Sequence, residues 1–200
     1  MYLKSMKNIL LIFSVLAGIF TYSQQKQIQH HFVQVREEMG DLNKDGLRDK
    51  VTVSMDTIDA EQPLKLEIFF LQPNGKFKLI ISSTEIMNPQ YPNGKYGGDQ
   101  VPDVFIEDGY FTLYSEIKDV KNQYKFLFNN GKFDLINLSK VSWDGKNTTT
   151  ETEFDLIKGT RTETAQLLGS DKIIKKSEKK IILKPLPTIQ TLRKFDHQLE

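Results

Sequence analysis

The stretch LKLEIFFLQPNGKFKLIIS, residues 64–82, decides the fold. Its first half alternates apolar and polar side chains, which is the period of a half-buried β-strand. The dipeptide Asn74-Gly75 then supplies the positive φ angles that a tight hairpin turn requires. The second half is again rich in apolar and β-branched residues, so the stretch predicts two antiparallel strands joined by a short turn.

The same turn chemistry recurs along the chain. Strand-like alternation begins at residue 50, and further turn dipeptides stand at Asp108-Gly109, Asn130-Gly131, Asp144-Gly145 and Lys158-Gly159. Residues 160–169 are ambiguous between helix and strand, and their three threonines favour a strand. The series predicts an all-β fold, an antiparallel meander of about eight to ten strands that forms a sandwich or an open, barrel-like sheet.

One long segment interrupts the hairpins. Residues 84–103 hold three prolines and three glycines, together with Tyr91 and Tyr96. A loop of this length inside a compact domain is usually functional, so we expect it to form a surface that binds a ligand or a partner. The alternative is a connecting loop whose tyrosines pack back on the sheet.

The segment DLNKDGLRD, residues 41–49, has the spacing of a calcium loop. Calcium takes six to eight oxygen ligands, and alternate residues of a tight loop point toward one centre. Gly46 permits the sharp turn. The predicted ligands are the side chains of Asp41, Asn43, Asp45 and Asp49 and the backbone carbonyl of Leu47. The alternative is an ion-free turn in which Asp and Asn side chains cap their own backbone.

The pattern Asp-x-Asn-x-Asp-Gly-x-x-Asp, followed at once by an apolar strand, resembles the loops of FG-GAP/VCBS-type repeats. The resemblance covers residues 40–55 closely and implies a structural calcium ion held between strands. More loosely, the order of strands and turns looks like a group of uncharacterised secreted bacterial proteins that carry a single such loop. The loop departs from an EF-hand because its twelfth position is Thr52 rather than a bidentate glutamate.

The N-terminus reads as a targeting segment. Lys4 and Lys7 form a basic region, residues 9–20 are almost wholly apolar, and small residues precede a cut ahead of Gln24. Residues 1–23 are therefore predicted to be a cleavable signal peptide, with an uncleaved membrane anchor as the alternative. We expect the mature chain to be secreted or periplasmic and to carry no transmembrane span.

The rest of the chain is predicted to form one domain. Residues 24–187 are assigned to a single β domain that contains the calcium loop, and residues 188–200 to a loosely ordered tail that follows Pro185 and Pro187. The chain has no cysteine, which excludes disulfides and a thiol nucleophile. Its net charge of +1 gives no electrostatic reason to expect a nucleic-acid partner.

These features favour an exported, non-enzymatic, calcium-binding β domain. The three histidines stand near the ends of the chain, and no catalytic triad can be assembled from them. One alternative is a glycoside hydrolase that uses two carboxylates, with candidates at Asp99, Asp103, Glu107 and Asp108. Another is an envelope-associated structural or inhibitor protein that acts through the lysine-rich strip at residues 172–184. The partners expected are a glycan or an envelope protein.

The targeting segment predicts the mass of the mature protein. Expression in a secreting host should yield a chain that begins close to Gln24, because the basic region, apolar run and small residues specify cleavage there. Intact-mass spectrometry of the exported protein measures this directly. A secreted chain that still carries Met1 or Met6 would contradict the prediction.

Overall fold

The computed structural model describes residues 30–117 and 119–199, and the predicted signal peptide lies outside these residues. The predicted all-β class is confirmed, with two antiparallel sheets in meander order and no closed barrel among the described strands. The small sheet contains β1 (Phe32–Gly40), β2 (Asp49–Asp56), β3 (Leu64–Leu71) and β4 (Phe77–Ser83). The large sheet contains β5 (Asp103–Glu107), β6 (Tyr110–Ile117), β7 (Val120–Asn129), β8 (Lys132–Trp143), β9 (Thr148–Asp155), β10 (Thr160–Leu167) and β11 (Ile173–Lys180).

The turn dipeptides form the hairpin turns that their chemistry predicts. Gly75, Gly109 and Gly131 have φ angles of 76°, 77° and 79°, in the left-handed region that glycine enters without a Cβ penalty. Each of these turns joins two strands that pair directly. Residues 160–167 form strand β10, as their threonines favoured.

The described residues contain eleven strands, more than the eight to ten expected. No strand is predicted before residue 50, and β1 precedes that residue. Its sequence, FVQVREEMG, lacks clean alternation because the pairing with β2 shifts register between Gln34 and Arg36. Such a bulge offsets the faces of the strand by one residue and hides the period of two.

The two sheets share one hydrophobic core. The small sheet contributes Val51, Val53, Leu64, Leu66 and Ile68, each fully buried. Five aromatic rings are packed together at its centre, with Phe70 edge-on to Phe128 at 4.9 Å between ring centroids. We call this group the phenylalanine cluster, and its members are Phe70, Phe111, Phe126, Phe128 and Phe133. Edge-to-face contacts of this kind add to the free energy gained by burial alone.

The two sheets also meet along one edge, where β1 lies beside β5. A Cβ atom placed on Gly40 would lie 2.5 Å from Ile106 Cγ2, so only glycine allows this approach. Nearby, Arg36 Nε lies 3.2 Å from Asp103 Oδ1 in an exposed ion pair. The loop that follows Gly40 is therefore placed at the junction of the two sheets.

The C-terminal segment differs from the loosely ordered tail that the sequence suggested. A 3-10 turn over Ile189–Thr191 leads into helix α1 (Leu192–Leu199), and Leu135 donates its backbone N–H to the carbonyl of Pro187 at 2.7 Å. Ile189, Leu192 and Phe195 are buried in the common core. Packing of these three side chains holds the segment in place. No helix in the described part of the chain is long and apolar enough to cross a bilayer.

The packing of the C-terminal segment predicts how much stability is lost when one of its buried side chains is shortened. Ile189 is fully buried, so Ile189→Ala should lower the free energy of unfolding by about 2–5 kcal/mol through lost burial and a residual cavity. Ile182 has the same side chain but is 86% exposed, and Ile182→Ala should change stability by no more than about 0.5 kcal/mol. Urea denaturation followed by circular dichroism measures both. Equal stability of the two variants would show that the C-terminal segment does not belong to the core.

Candidate functional site

The predicted calcium loop connects β1 to β2 and is closed by hydrogen bonds to Asp41. Asp41 Oδ1 accepts the backbone N–H of Lys44 at 2.6 Å and that of Asp45 at 3.2 Å. Asp41 Oδ2 accepts the N–H of Gly46 at 2.8 Å. Gly46 has a φ of 85°, which bends the chain back toward the carboxylate. Asp41 is thus the residue around which the loop turns.

Asn43 and Asp45 lie in the same turn. Asn43 Oδ1 accepts the N–H of Asp45 at 3.0 Å, and Asp45 Oδ1 accepts the N–H of Leu47 at 2.8 Å. Asn43 Nδ2 donates to Asp45 Oδ2 at 2.9 Å. The structure therefore brings together three of the five predicted ligands, Asp41, Asn43 and Asp45, in one short exposed turn.

Asp49 occupies a different environment at the start of β2. Its side chain is fully buried, and its two carboxylate oxygens accept the N–H groups of Leu42 and Leu71, each at 2.9 Å. Burial raises the pKa of Asp49 above its usual value, although these two hydrogen bonds oppose the shift and the nearby charges of Asp45 and Asp41 add to it. Asp49 thus ties the loop to the end of β3.

The basic side chains of the loop lead away from its carboxylates. The stem of Lys44 lies over the β5–β6 turn, where a Cβ on Gly109 would be 2.5 Å from Lys44 Cε, and its ammonium group is 5.6 Å from the Tyr110 ring centre. Arg48 donates to the carbonyl of Met39 at 3.2 Å. Among the described residues, no cationic side chain forms an ion pair with Asp41, Asp45 or Asp49. The loop therefore holds three carboxylates without a protein counter-charge.

These residues fit a hard divalent cation in part. Asp41, Asn43 and Asp45 present oxygens on one turn, and an oxygen that accepts one N–H keeps a second lone pair for a metal. Asp49 differs from these three because its side chain is fully buried, and it shares the site through its charge. The same hydrogen bonds suit an ion-free Asx turn. Calcium would contribute here by neutralising carboxylate repulsion and cross-linking the turn at the junction of the sheets.

The 84–103 segment is a loop ordered by hydrogen bonds and attached to the small sheet. Gln90 and Tyr91 donate their backbone N–H groups to the carbonyls of Gln62 and Glu61 at 3.1 and 2.9 Å, next to the β2–β3 turn. Inside the loop, Gln90 Nε2 donates to the carbonyl of Gly98 at 2.9 Å. Gln100 donates its backbone N–H to Gln90 Oε1 at 3.1 Å. Two buried glutamine side chains therefore hold the loop in shape.

The tyrosines of this loop form a pair in which Tyr96 is exposed and Tyr91 is half-buried. The rings of Tyr91 and Tyr96 lie 5.7 Å apart between centroids, and Tyr96 is 63% exposed. The apolar residues that anchor the loop are instead Ile86 and Met87, which belong to the common core. The loop thus separates an inner apolar anchor from an outer aromatic surface.

A cluster that the sequence analysis did not identify lies at the other end of β2. His30, Asp56 and Asp59 each offer a ligand atom, and these atoms lie within 4.8 Å of one another. Asp56 is buried and hydrogen-bonded to His30 Nδ1 and to the N–H groups of His31 and Ile58. Only the β1–β2 pairing brings residues 25 positions apart together, so no local motif could have identified the cluster.

The charge of Asp56 is stabilised by its surroundings. Burial by itself would raise the pKa of Asp56, but the hydrogen bonds from Ile58, His30 and His31 outweigh it and hold the pKa well below its usual range. Every one of these bonds joins the start of β1 to the end of β2 or stays within the turn that follows. The cluster therefore works as a structural junction of the hairpin.

The four carboxylates proposed for a hydrolase are all exposed. Asp99 caps the N–H of Val101 at 3.0 Å, and Asp103 pairs with Arg36. Glu107 and Asp108 lie at the β5–β6 turn. None of the four lines the cleft beneath the 84–103 loop.

The lysine-rich strip forms β11, the last strand of the large sheet. Successive side chains of a strand point to opposite faces. Lys175 and Lys179 therefore project from one face, and Lys176 and Lys180 from the other. The strip does not present a continuous lysine face, and its lysines instead flank an exposed sheet edge.

No protein family matches the chain, and no curated protein or solved structure is similar enough to be compared with it.

The environment of Asp56 predicts a pH-dependent contribution to stability. Because its pKa is lowered on folding, the contribution is present above its ordinary value near 3.8 and is lost as the pH falls below that value. Asp56→Ala should lower stability by roughly 2–4 kcal/mol at neutral pH and flatten the decline in acid. Thermal melts of the wild type and the variant at neutral pH and near pH 3 measure this.

A matched control is Asp171→Ala, which removes an exposed carboxylate from the turn before β11. It should leave both the stability and its pH dependence unchanged. If Asp56→Ala behaves like this control, the junction does not carry the stabilising charge assigned to it.

Proposed function

We propose that this protein is an exported, non-enzymatic β domain that is stabilised by calcium and acts by binding a ligand or partner through the 84–103 loop. The observation that carries the proposal is the position of the two loops on one sheet framework. The 41–49 loop is anchored at the junction of the sheets, and the 84–103 loop is anchored to the β2–β3 turn.

The charge of the 41–49 loop supports the cation. Asp45 is exposed and Asp41 is half-buried, and both lie in one turn with Asn43, unpaired with any described cation. Both raise the pKa of buried Asp49 through like-charge repulsion. A bound divalent ion would convert this repulsion into attraction and stabilise the fold around it.

The 84–103 loop supports a binding role because a glutamine network orders its backbone while one aromatic ring stays exposed. Tyr96 lies at the surface beside the half-buried Tyr91. Aromatic side chains displayed on a rigid loop lose little entropy when they bind. The candidate carboxylates of a hydrolase lack any comparable shared site.

Calcium should raise the melting temperature of the mature protein. An ion that binds only the folded state contributes roughly 2.7 kcal/mol when free calcium is 100 times its dissociation constant, or roughly 5–10 °C for a chain of this size. Magnesium should substitute poorly because it demands a smaller, octahedral site. Melts in excess calcium, in excess magnesium and in chelator measure the difference.

Asp45→Ala should abolish most of the calcium effect, and Asn43→Ala should reduce it less because a neutral ligand is lost. Asp144→Ala is the matched control. Asp144 precedes a glycine and caps the N–H groups of Lys146 and Thr148 at 2.8 and 3.0 Å, but its turn contains no second carboxylate. It should leave the calcium effect intact. Identical melts in calcium and chelator, with no heat on titration of calcium, would make the 41–49 loop an ion-free turn.

A further inference from the structure

A small cleft lies beneath the 84–103 loop, on the face of the large sheet that carries the core. Its volume is about 110 Å³. The loop forms one wall, strands β6 and β7 form the floor, and Leu192 of helix α1 closes one end. The cleft is thus assembled from the three parts of the chain that cover this end of the sheet.

The floor of the cleft departs from the pattern of the core. Along β6, Phe111 and Leu113 are buried on the inner face, and the next residue on that face is Ser115. Its partner on β7 is Asn122, next to the Leu113–Tyr124 pair. Two polar side chains thus stand opposite each other where continued alternation would place apolar ones. Local departures from a consistent pattern are typical of functional sites.

The wall of the cleft that the 84–103 loop forms is rigid. Gln100 is 7% exposed, and its side-chain Nε2 donates to the carbonyl of Gly97 at 3.0 Å. Gly98 has a φ of 101°, and a Cβ atom there would lie 3.3 Å from Ile117 Cγ2, so the loop backbone approaches β6 closely. A preformed cleft of this kind binds a ligand with little ordering cost.

The lining selects for a neutral ligand that has both polar and apolar faces. Side-chain amides come from Asn88, Gln100 and Asn122, and hydroxyls come from Ser115 and Tyr124. The apolar part of the lining comes from Ile86, Met87, Pro102, Leu113, Ile117 and Leu192. The lining includes no Asp, Glu, Lys, Arg or His. A charged ligand would therefore lose hydration without gaining a counter-charge, and a purely apolar ligand would leave amides without partners.

We propose that this cleft binds a neutral sugar residue, with amides and hydroxyls meeting the sugar hydroxyls and the apolar lining meeting its C–H face. The inference rests on the proposed binding role of the 84–103 loop and names its ligand class. The volume is smaller than the 150 Å³ or so of a cavity that encloses benzene, so only one edge of a sugar ring is buried. The remaining edge stays in solvent, which suits the end of a longer glycan.

The test is a titration of the isotope-labelled mature protein with glucose, galactose, mannose and N-acetylglucosamine, followed by nuclear magnetic resonance. At least one sugar should shift the amides of residues 86–88, 100–102 and 113–124. Glucuronate, which adds a carboxylate, should bind at least about tenfold more weakly because the lining holds no counter-charge. No shift with any of the four sugars, or shifts confined to other regions, would overturn the proposal.

Three variants connect the binding to this cleft. Asn122→Leu and Ser115→Val remove the polar floor, and each should weaken binding by about two- to tenfold for every hydrogen bond lost. Asn88→Ala tests the loop wall of the cleft at an exposed position, where the fold does not depend on the side chain. Gln123→Leu is the matched control on β7, since it lies on the opposite face, and it should bind the sugar as the wild type does.

The calcium melts distinguish failure of this inference from failure of the wider proposal. Calcium stabilisation without sugar binding overturns the sugar-binding proposal and leaves the calcium-stabilised β domain standing. Sugar binding that Asn122→Leu and Gln123→Leu weaken equally would place the ligand outside the cleft, and that result also overturns the proposal.

Discussion

Burial of the phenylalanine cluster between two sheets of unequal width is the interaction on which the rest of the structure depends. Four strands cannot cover the inner face of seven, so part of the large sheet needs another cover. The 84–103 loop supplies Ile86 and Met87, and the C-terminal segment supplies Ile189, Leu192 and Phe195. A loop and a tail thus become parts of the core because the second sheet is too narrow.

The same mismatch explains the change in composition along the large sheet. Strands β6 to β8 carry the buried aromatic and aliphatic residues that pack in the common core. Strand β10 is half-buried throughout, and β11 is exposed on almost every residue. Threonine, glutamate and lysine replace apolar residues on these two strands, in keeping with their greater exposure. The cleft with its Ser115–Asn122 pair lies where the covered part of the sheet ends.

The sequence predicted the fold where local chemistry determines it. Turn dipeptides such as Asn74-Gly75 and Asn130-Gly131 specify hairpins through a few backbone angles, and each hairpin is present. Strand β1 and the C-terminal segment were missed because a bulge masks the first and only nonlocal packing orders the second. The burial of Leu192 depends on contact with strands far away in the chain, and no short window of sequence contains that information.

The candidate site likewise divides into features that local sequence predicts and features that depend on nonlocal packing. Spacing alone grouped Asp41, Asn43 and Asp45, which do share a turn, and singled out the 84–103 loop, on which Tyr96 is exposed. Spacing also predicted Asp49 as a ligand, but it could not reveal that this carboxylate is buried and accepts the N–H groups of Leu42 and Leu71. Leu71 is 22 residues further along the chain, at the end of β3. The cleft was equally hidden, since its walls come from three separated segments.

The lysines on both faces of β11 have a consequence for crowded surroundings. An edge strand offers a free row of peptide groups to which another strand can add, and at high local concentration a chain meets many copies of itself. A second β11 paired with the first would lie about 5 Å away, well inside the distance over which salt screens charge. Four lysines from each strand would then repel one another at close range. The charge of this edge thereby opposes the growth of continuous sheets between molecules.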